Sequence, residues 1–463
     1  MKKREFLAVG GAVPLMLAGC GSGSGSAPVR LVNASVGYET PGLGFQDESN
    51  QIVTGITYGN ASAYSNVQAG SVSLTLTTTI NGVETSATAA QVRTVNKDQR
   101  YSLVAYGVLN ELRLVLVAES NITPDTGDAN INVLNTSVDI GAVDVYLSPT
   151  QDLSISTLIA SSLSATTSSP SQSAFAGITA GSYFITVVGA NSIQQGISDV
   201  RFQSPQAITL TALQVVTIIL TPGASGVLAN AIVLTQGTSG TAVSYLNTTA
   251  RARAVTAIPG ATISVVGVTP TSPATAVTLL APSATPQYSN YAVVQTGTAP
   301  VVTVNGAAVP VVMNDPASTT SPPGEITAAL SAGGDYTLAV YLDGSGNPKA
   351  KIFVDDNTAP VTSSGVKFRL INLASNNQGL LLSMSVNKIN IASVIPYATA
   401  SAYTEISSIP QGTNSIVEVN NGASVLVAYT SVLTLPNIFT EIVVGVDPTT
   451  GKVLDFFRSS SGT

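Results

Sequence analysis

Val29-Arg30-Leu31-Val32-Asn33-Ala34-Ser35 is a seven-residue stretch in which apolar side chains are broken by an Arg, and which ends on Asn and two small residues. The pattern returns as Ile131-Asn132-Val133-Leu134-Asn135-Thr136-Ser137, as Phe368-Arg369-Leu370-Ile371-Asn372-Leu373-Ala374, and in degenerate form as Ala252-Arg253-Ala254-Val255-Thr256-Ala257-Ile258. The copies begin at 29, 131, 252 and 368, a spacing of about 100 to 120 residues that suits one immunoglobulin-like sandwich per repeat.

Working outward, each opening stretch is followed by a second short apolar run, then a segment rich in Tyr and Ser, then a pair of β-rich runs around turn residues. Alternation supports strands: Val72, Leu74 and Leu76 fall on one side of the chain, and Ser71, Ser73 and Thr75 on the other. The expected fold is all-β, made of about four tandem antiparallel immunoglobulin-like β-sandwich modules at 29–128, 129–247, 248–360 and 361–463. Composition agrees. The 463 residues are 44% hydrophobic but only 9% charged, against roughly 25% charged in ordinary soluble domains. Such a chain is too apolar for a disordered tail and too poor in Glu, Lys and Arg for exposed helix faces.

The first residues read as an address. Lys2, Lys3 and Arg4 precede an apolar stretch from Phe6 to Ala18, too short to span a bilayer and typical of a secretory signal, here assigned to 1–19. Leu17-Ala18-Gly19-Cys20 resembles a bacterial lipobox, so the single Cys of the chain is the expected lipidation site. Lys3-Arg4-Glu5-Phe6-Leu7 resembles a twin-arginine export signal only faintly. Residues 20–28 then form the lipidated Cys and a Gly/Ser tether. Gly21, standing where Asp would resemble an inner-membrane retention signal, favours the outer membrane. The expected location is the bacterial cell envelope, with the membrane as a partner through the lipid anchor.

Asn135-Thr136-Ser137-Val138-Asp139-Ile140-Gly141-Ala142-Val143-Asp144-Val145-Tyr146-Leu147 resembles the opening of the bacterial domain of unknown function 4397. Members of that family begin with an Arg-rich apolar strand, an Asn-or-His-Ala-Ser step and a Val-Asp-Val-Tyr strand. The likeness is good over 131–147 and partial in the other repeats. It implies surface-anchored β-sandwich modules and supplies no activity.

Chemistry is limited by what is missing. The sequence has no His, which removes Ser-His-Asp triads, Cys-His pairs and imidazole metal ligands. The net charge of -7 offers no basic footprint for phosphate backbones, so nucleic acid is not an expected partner. Asp139 and Asp144 are formally a carboxylate pair, read as a turn cap and an outward-facing strand residue. Lys97, Lys349, Lys351, Lys367, Lys388 and Lys452 fall in turns or alternate along strands, which argues against Ser-Lys chemistry. Asp125 and Asp128 at one junction, and Asp355 and Asp356 at another, are candidate calcium ligands, set against the ordinary reading of solvated turn acids. No cofactor and no catalytic residue is expected.

Asn33, Asn135 and Asn372 end the opening stretch in three repeats and are assigned a structural role, bonding nearby backbone where the strand leaves its sheet. Tyr58, Tyr64, Tyr397 and Tyr403 are read as exposed rings able to stack on sugars. The functional expectation is therefore a lipid-anchored envelope protein with non-catalytic structural, adhesive or ligand-presenting modules, its protein or glycan partner unknown. The alternative is a polysaccharide-binding envelope lipoprotein.

Overall fold

The computed structural model describes residues 25–459 except 49, 109–110, 167, 192–198, 225, 238–240, 259, 270–274, 284–285, 315–323, 362–364, 375–378, 408, 410–413, 434–436 and 447–452. Cys20, the signal segment and most of the tether lie outside the described residues. What is described is strand upon strand, with one 3-10 turn at Leu153–Ile155.

The strands form eight sheets, two within each of the stretches 26–118, 128–245, 249–355 and 366–459. In every stretch one sheet holds the opening strand beside a second strand, termed the penultimate, with that strand's antiparallel partner, the closing strand, outside it. These are Ser26–Ser35, Tyr101–Gly107 and Arg113–Ala118 in the first; Asp128–Asn135, Val215–Pro222 and Ala229–Thr235 in the second. Thr249–Thr256, Asp335–Leu342 and Pro348–Asp355 follow in the third; Val366–Asn372, Asn437–Val446 and Val453–Ser459 in the fourth. Ala242–Tyr245 extends the second of these sheets beyond its closing strand, and Val311–Asn314 and Glu325–Thr327 extend the third.

The opening and penultimate strands run parallel in all four, for example Val29 opposite Tyr101 and Phe368 opposite Phe439. This sheet is therefore mixed, where wholly antiparallel sheets were expected. A parallel pair needs a long crossover, and the second sheet of each sandwich supplies it.

Four cores lie between the paired sheets. In the first, Val29 and Leu31 of the mixed sheet meet Leu43, Phe45, Leu74 and Leu76 of the other, all fully buried. The remaining three cores repeat the arrangement, with the rings of Phe368 and Phe439 stacked 5.8 Å apart in the last. Since successive strand residues face opposite ways, Arg30, Val32 and Ala34 must point out of the back of the mixed sheet. Yet they too are buried.

The second sheet carries a recurrent bulge, with register shifts at Leu43/Phe45, Val143/Val145, Ile263/Val265 and Leu382/Met384. The bulge frees an amide from the ladder, and in the first, second and fourth modules the bulged strand holds a left-handed residue, Gly55, Ser162 or Val394. Ser162, with φ +49°, turns its N–H to Asp144 Oδ1 at 2.8 Å, while Asn191 donates to Asp144 Oδ2 at 2.9 Å. Asp144 is 2% exposed, so it does not face solvent as the alternation suggested; the bulge turns the Ser162 amide toward it, and the turn after Gly181–Gly189 brings the Asn191 amide. In the fourth module Ser383 accepts from Val394, at φ +57°, over 3.1 Å. Gly44 stands at this place in the first, where a Cβ would come within 2.2 Å of the Val53 carbonyl.

Candidate functional site

The buried backs of the mixed sheets define the site. Val32, Ala34, Val104 and Val117 pack against Leu134, Ile219, Ile232 and Leu234, joining the first mixed sheet to the second. Val255, Ala257, Ala339 and Phe353 pack in the same way against Ile371, Leu373, Ile442 and Val444, joining the third to the fourth. Most of these residues take matching positions in their own strands. The four sandwiches are thus held in two back-to-back pairs.

Each apolar seam carries a buried ionic cluster. In the first, Arg30 Nη2 lies 2.8 Å from Glu119 Oε1 and its Nε donates to Ser102 Oγ at 3.0 Å. Tyr64 lies under the guanidinium, 4.8 Å from its centroid, and donates its hydroxyl to Glu119 at 2.6 Å. Arg30 Nη1 reaches across the seam to the Thr235 carbonyl at 3.0 Å. From the facing module the Gly237 amide approaches Glu119 Oε2 at 3.3 Å, and Gln236 Oε1 accepts from the Ser120 amide at 2.8 Å.

The second seam is more heavily charged. Arg251 grips Asp335 through two parallel bonds of 2.8 and 2.6 Å, the bidentate geometry that suits a guanidinium. Asp355, 1% exposed, accepts from Tyr291, from Thr337 at 2.6 Å and from Arg369, whose Nη1 also donates to the Val354 carbonyl at 2.9 Å. Arg253 stands 3.9 Å from the same carboxylate. Arg251 and Arg253 lie 4.6 and 4.7 Å from the Tyr291 ring, and Arg369 lies 4.7 Å from that of Tyr403. Burial pushes the hydroxyl pKa of Tyr64, Tyr291 and Tyr403 upward, which keeps them as hydrogen-bond donors. Arg251 and Arg369 are held above the ordinary guanidinium value despite burial, by Asp335 and Asp355 respectively.

A serine two residues before each ring fixes the segment that carries it. Ser62, Ser173, Ser289 and Ser401 accept from the amides of Leu31, Val133, Ala254 and Leu370 at 2.9 to 3.1 Å. Sequence reading noted a Tyr/Ser-rich stretch without finding this spacing, Ser-x-Tyr or Ser-x-Phe, which was the available signal.

The three asparagines form a separate set. Asn33 Nδ2 donates to the carbonyls of Tyr38 and Ile56, both at 2.9 Å, and its Oδ1 accepts from the Ser35 amide at 3.0 Å. Asn135 bonds Leu163 O, Gly141 O and Ser137 N. Asn372 bonds Leu380 O, Ile395 O and Ala374 N. All three are fully buried, clamping the strand end to the crossover into the second sheet.

The junction acids do not converge. Asp355 belongs to the seam, whereas Asp356 bonds Thr358 and sits 3.2 Å from Lys367 Nζ. Against the upward push of burial, the Thr358 hydroxyl and the Lys367 charge hold the Asp356 carboxyl below its usual pKa. Asp125 lies in the connection between the first two modules and Asp128 begins the second module's opening strand, its amide on the Asp125 carbonyl at 3.0 Å. Among the described residues, no three acidic, His or Cys side chains come together as a metal site. Asp139 accepts from the Ala359 amide at 2.6 Å, so the second module touches the connection between the third and fourth.

The tyrosines read as exposed are engaged. Tyr58 bonds Thr221 across the first seam at 2.7 Å, Tyr397 bonds the Leu342 carbonyl across the second at 2.6 Å, and Tyr64 and Tyr403 are the rings beneath the arginines.

By fold and site this is an all-β protein of β-sandwich modules joined back to back through buried Arg, carboxylate and Tyr side chains. Residues 24–146 match the family model described as Domain of unknown function (DUF4397). The match takes in the first sandwich and runs through the opening strand of the second to Tyr146, so it covers the stretch that carried the resemblance in sequence up to its last residue but one. No curated protein matches the chain.

Proposed function

We propose that the chain is a lipid-anchored protein of the bacterial cell envelope whose sandwiches act as a non-catalytic structural, adhesive or ligand-presenting array. The observation that carries this reading is where the reactive side chains go. Arg30, Arg251, Arg369, Glu119, Asp335 and Asp355 neutralise one another inside the seams, and Asp139 and Asp144 accept backbone amides. These groups serve cohesion. Tyr58, Tyr64, Tyr397 and Tyr403 serve it too, so the polysaccharide-binding alternative loses the rings on which it rested.

The anchor is tested by Cys20→Ser, which removes the only thiol in the chain. The expected outcome is transfer from the membrane fraction to the soluble fraction, with loss of labelled fatty acid. Retention in the membrane at the original level rejects the anchor.

A further inference from the structure

Three modules turn into their penultimate strands in the same way. Asp98, Leu213 and Gly333 donate their amides to the carbonyls of Ser26, Asp128 and Thr249, the first residues of the opening strands, at 3.1, 2.7 and 2.8 Å. Each has a left-handed backbone, with φ of +62°, +67° and +74°. Glycine takes that conformation freely and Asp tolerates it, whereas a leucine is strained there. Leu213 is nevertheless 54% exposed, so burial offsets little of the strain. Ile122, 68% exposed, lines the same cleft at the mouth of the first seam. Arg100 lines it too, and its guanidinium has no hydrogen bond or ion pair among the described residues.

The cleft lies at the end of the first pair where the chain enters. Gly25 accepts the Ala69 amide at 2.9 Å, and the Lys97 methylenes lie where a Cβ on Gly25 would come within 2.6 Å of them. From Lys97 the path is short: the Gln99 side chain donates to the Glu119 carbonyl at 2.7 Å and accepts from the Asn121 side chain at 2.5 Å, and Ile122 comes next. Cys20 is five residues before Gly25, and a chain spans at most about 3.6 Å per residue, so the lipidated residue stands within about 18 Å of Gly25. Gly70–Ile80 carries the chain from this end of the first sandwich to the opposite one, roughly 30 Å away at the rise of a strand. The tether therefore holds the cleft end, and not the far end, at the bilayer.

We propose that this end is a membrane-docking surface: Ile122 and Leu213 enter the headgroup layer of the bilayer that holds the lipid anchor, and Arg100 meets a lipid phosphate. The proposal rests on the anchor reading above. Exposed apolar side chains gain by leaving water for the boundary between headgroups and acyl chains, and a guanidinium suits phosphate. Lys97 and Arg100 are balanced by Asp98 and Asp125 at the same end, so apolar contact rather than net attraction carries the docking, and added salt should not reverse it. Two side chains are too few to hold the chain on a membrane unaided; they orient one that is already tethered. The strained leucine then has a use that neither Asp98 nor Gly333 could serve.

The test uses the lipidated full chain on vesicles of phosphatidylethanolamine and phosphatidylglycerol, after flotation has shown that the chain is bound. A lipidated Cys20 leaves no free thiol in the chain, so Ala212→Cys or Val83→Cys takes a single environment-sensitive dye. Both positions are exposed, with Val83 at the end of the first sandwich far from the tether. The expected result is a blue shift at Ala212, with quenching by phospholipid spin-labelled near the headgroup, and neither at Val83. Adding Leu213→Gly and Ile122→Ser should abolish both signals while flotation persists and the melting temperature is not lowered, because glycine relieves the left-handed strain. Equal quenching at the two positions overturns the docking and leaves the anchor standing. Signals that survive Leu213→Gly with Ile122→Ser overturn it too, and a shift that appears only with native envelope vesicles assigns the apolar pair to a protein partner instead. A chain that does not float removes the anchor and the docking with it.

Discussion

Replacing Asn33 by Ala tests the clamp that closes the opening strand. Asn33 is fully buried and makes three well-formed bonds of 2.9, 2.9 and 3.0 Å, two donated and one accepted. Alanine leaves the Tyr38 and Ile56 carbonyls and the Ser35 amide without that partner. An orphaned buried polar group costs about 1–3 kcal/mol, and local relaxation or water recovers part of it, so the expected loss for the first module is about 3 kcal/mol. The sequence contains no Trp, so unfolding in urea is followed by far-ultraviolet circular dichroism, with hydrogen exchange locating the effect. Exchange at the Ser35 amide should rise with the loss of stability. Asn33→Asp keeps the acceptor but sets a carboxylate against two carbonyls, so it should cost at least as much at neutral pH and recover as the pH falls. Thr256 stands at this position in the third module, where its hydroxyl accepts the Gln287 amide at 3.0 Å; Thr256→Ala should cost clearly less. A loss below about 1 kcal/mol for Asn33→Ala, with Ser35 still protected, would refute the clamp.

The second seam predicts strong coupling between Asp355 and Arg369. Asp355→Ala strands a buried cation and should cost about 3–5 kcal/mol; adding Arg369→Met should restore part of that, and simple additivity in the double-mutant cycle counts against a shared ionic cluster. Asp139 predicts a pH effect of opposite sign to ordinary acid denaturation. Burial raises its carboxyl pKa, opposed by the Ala359 amide and the Lys367 charge. The folded state then holds more proton than the unfolded one between the unfolded value of about 3.9 and the raised native value. Its contribution is full below that window and is lost as the pH rises through it. Asp139→Asn keeps an acceptor for Ala359 and removes the titration, so the difference in urea midpoint between parent and variant should widen in the variant's favour from pH 4 to neutrality. A constant difference would reject the assignment.

Strand content and repeat length were legible because both follow from period-two alternation and a recurring seven-residue signature. The asparagines stood out because the same residue ended three opening strands. Strand direction was not legible: alternation is identical in parallel and antiparallel pairs, and only the crossover decides. The seams were hidden for a related reason. Arg30 and Arg369 alternate with apolar neighbours, the pattern of a sheet with one wet face, and nothing local says that another sheet covers that face. Tyrosine misled because a ring with one polar tip suits a wet edge and a buried cation equally well. Asp144 misled because a bulge and a neighbouring turn each bring a backbone donor to a position that simple alternation assigns to solvent.

The two seams solve one electrostatic problem in two ways. Arg30 reaches the Thr235 carbonyl, and Arg369 reaches the Val354 carbonyl; strand register makes those two acceptors equivalent, each lying across from the first core-facing residue of its penultimate strand, Val216 or Tyr336. Tyr58 and Tyr397 cross their seams from matching places as well. One docking geometry therefore serves both pairs, with the fourth module on the third playing the part of the first on the second. A second arginine facing the first would leave two buried cations close together, which low-dielectric surroundings penalise heavily. In the first seam Asn132 occupies the mate's position and accepts the Thr217 hydroxyl at 2.8 Å, while Gln236 fills the place of Asp355 and Glu119 alone neutralises Arg30. In the second both arginines remain, and Asp355 stands within reach of each. The acid or amide at the end of the closing strand thus follows the number of arginines in the seam, which explains why a chain with so little charge places so much of it where water does not reach.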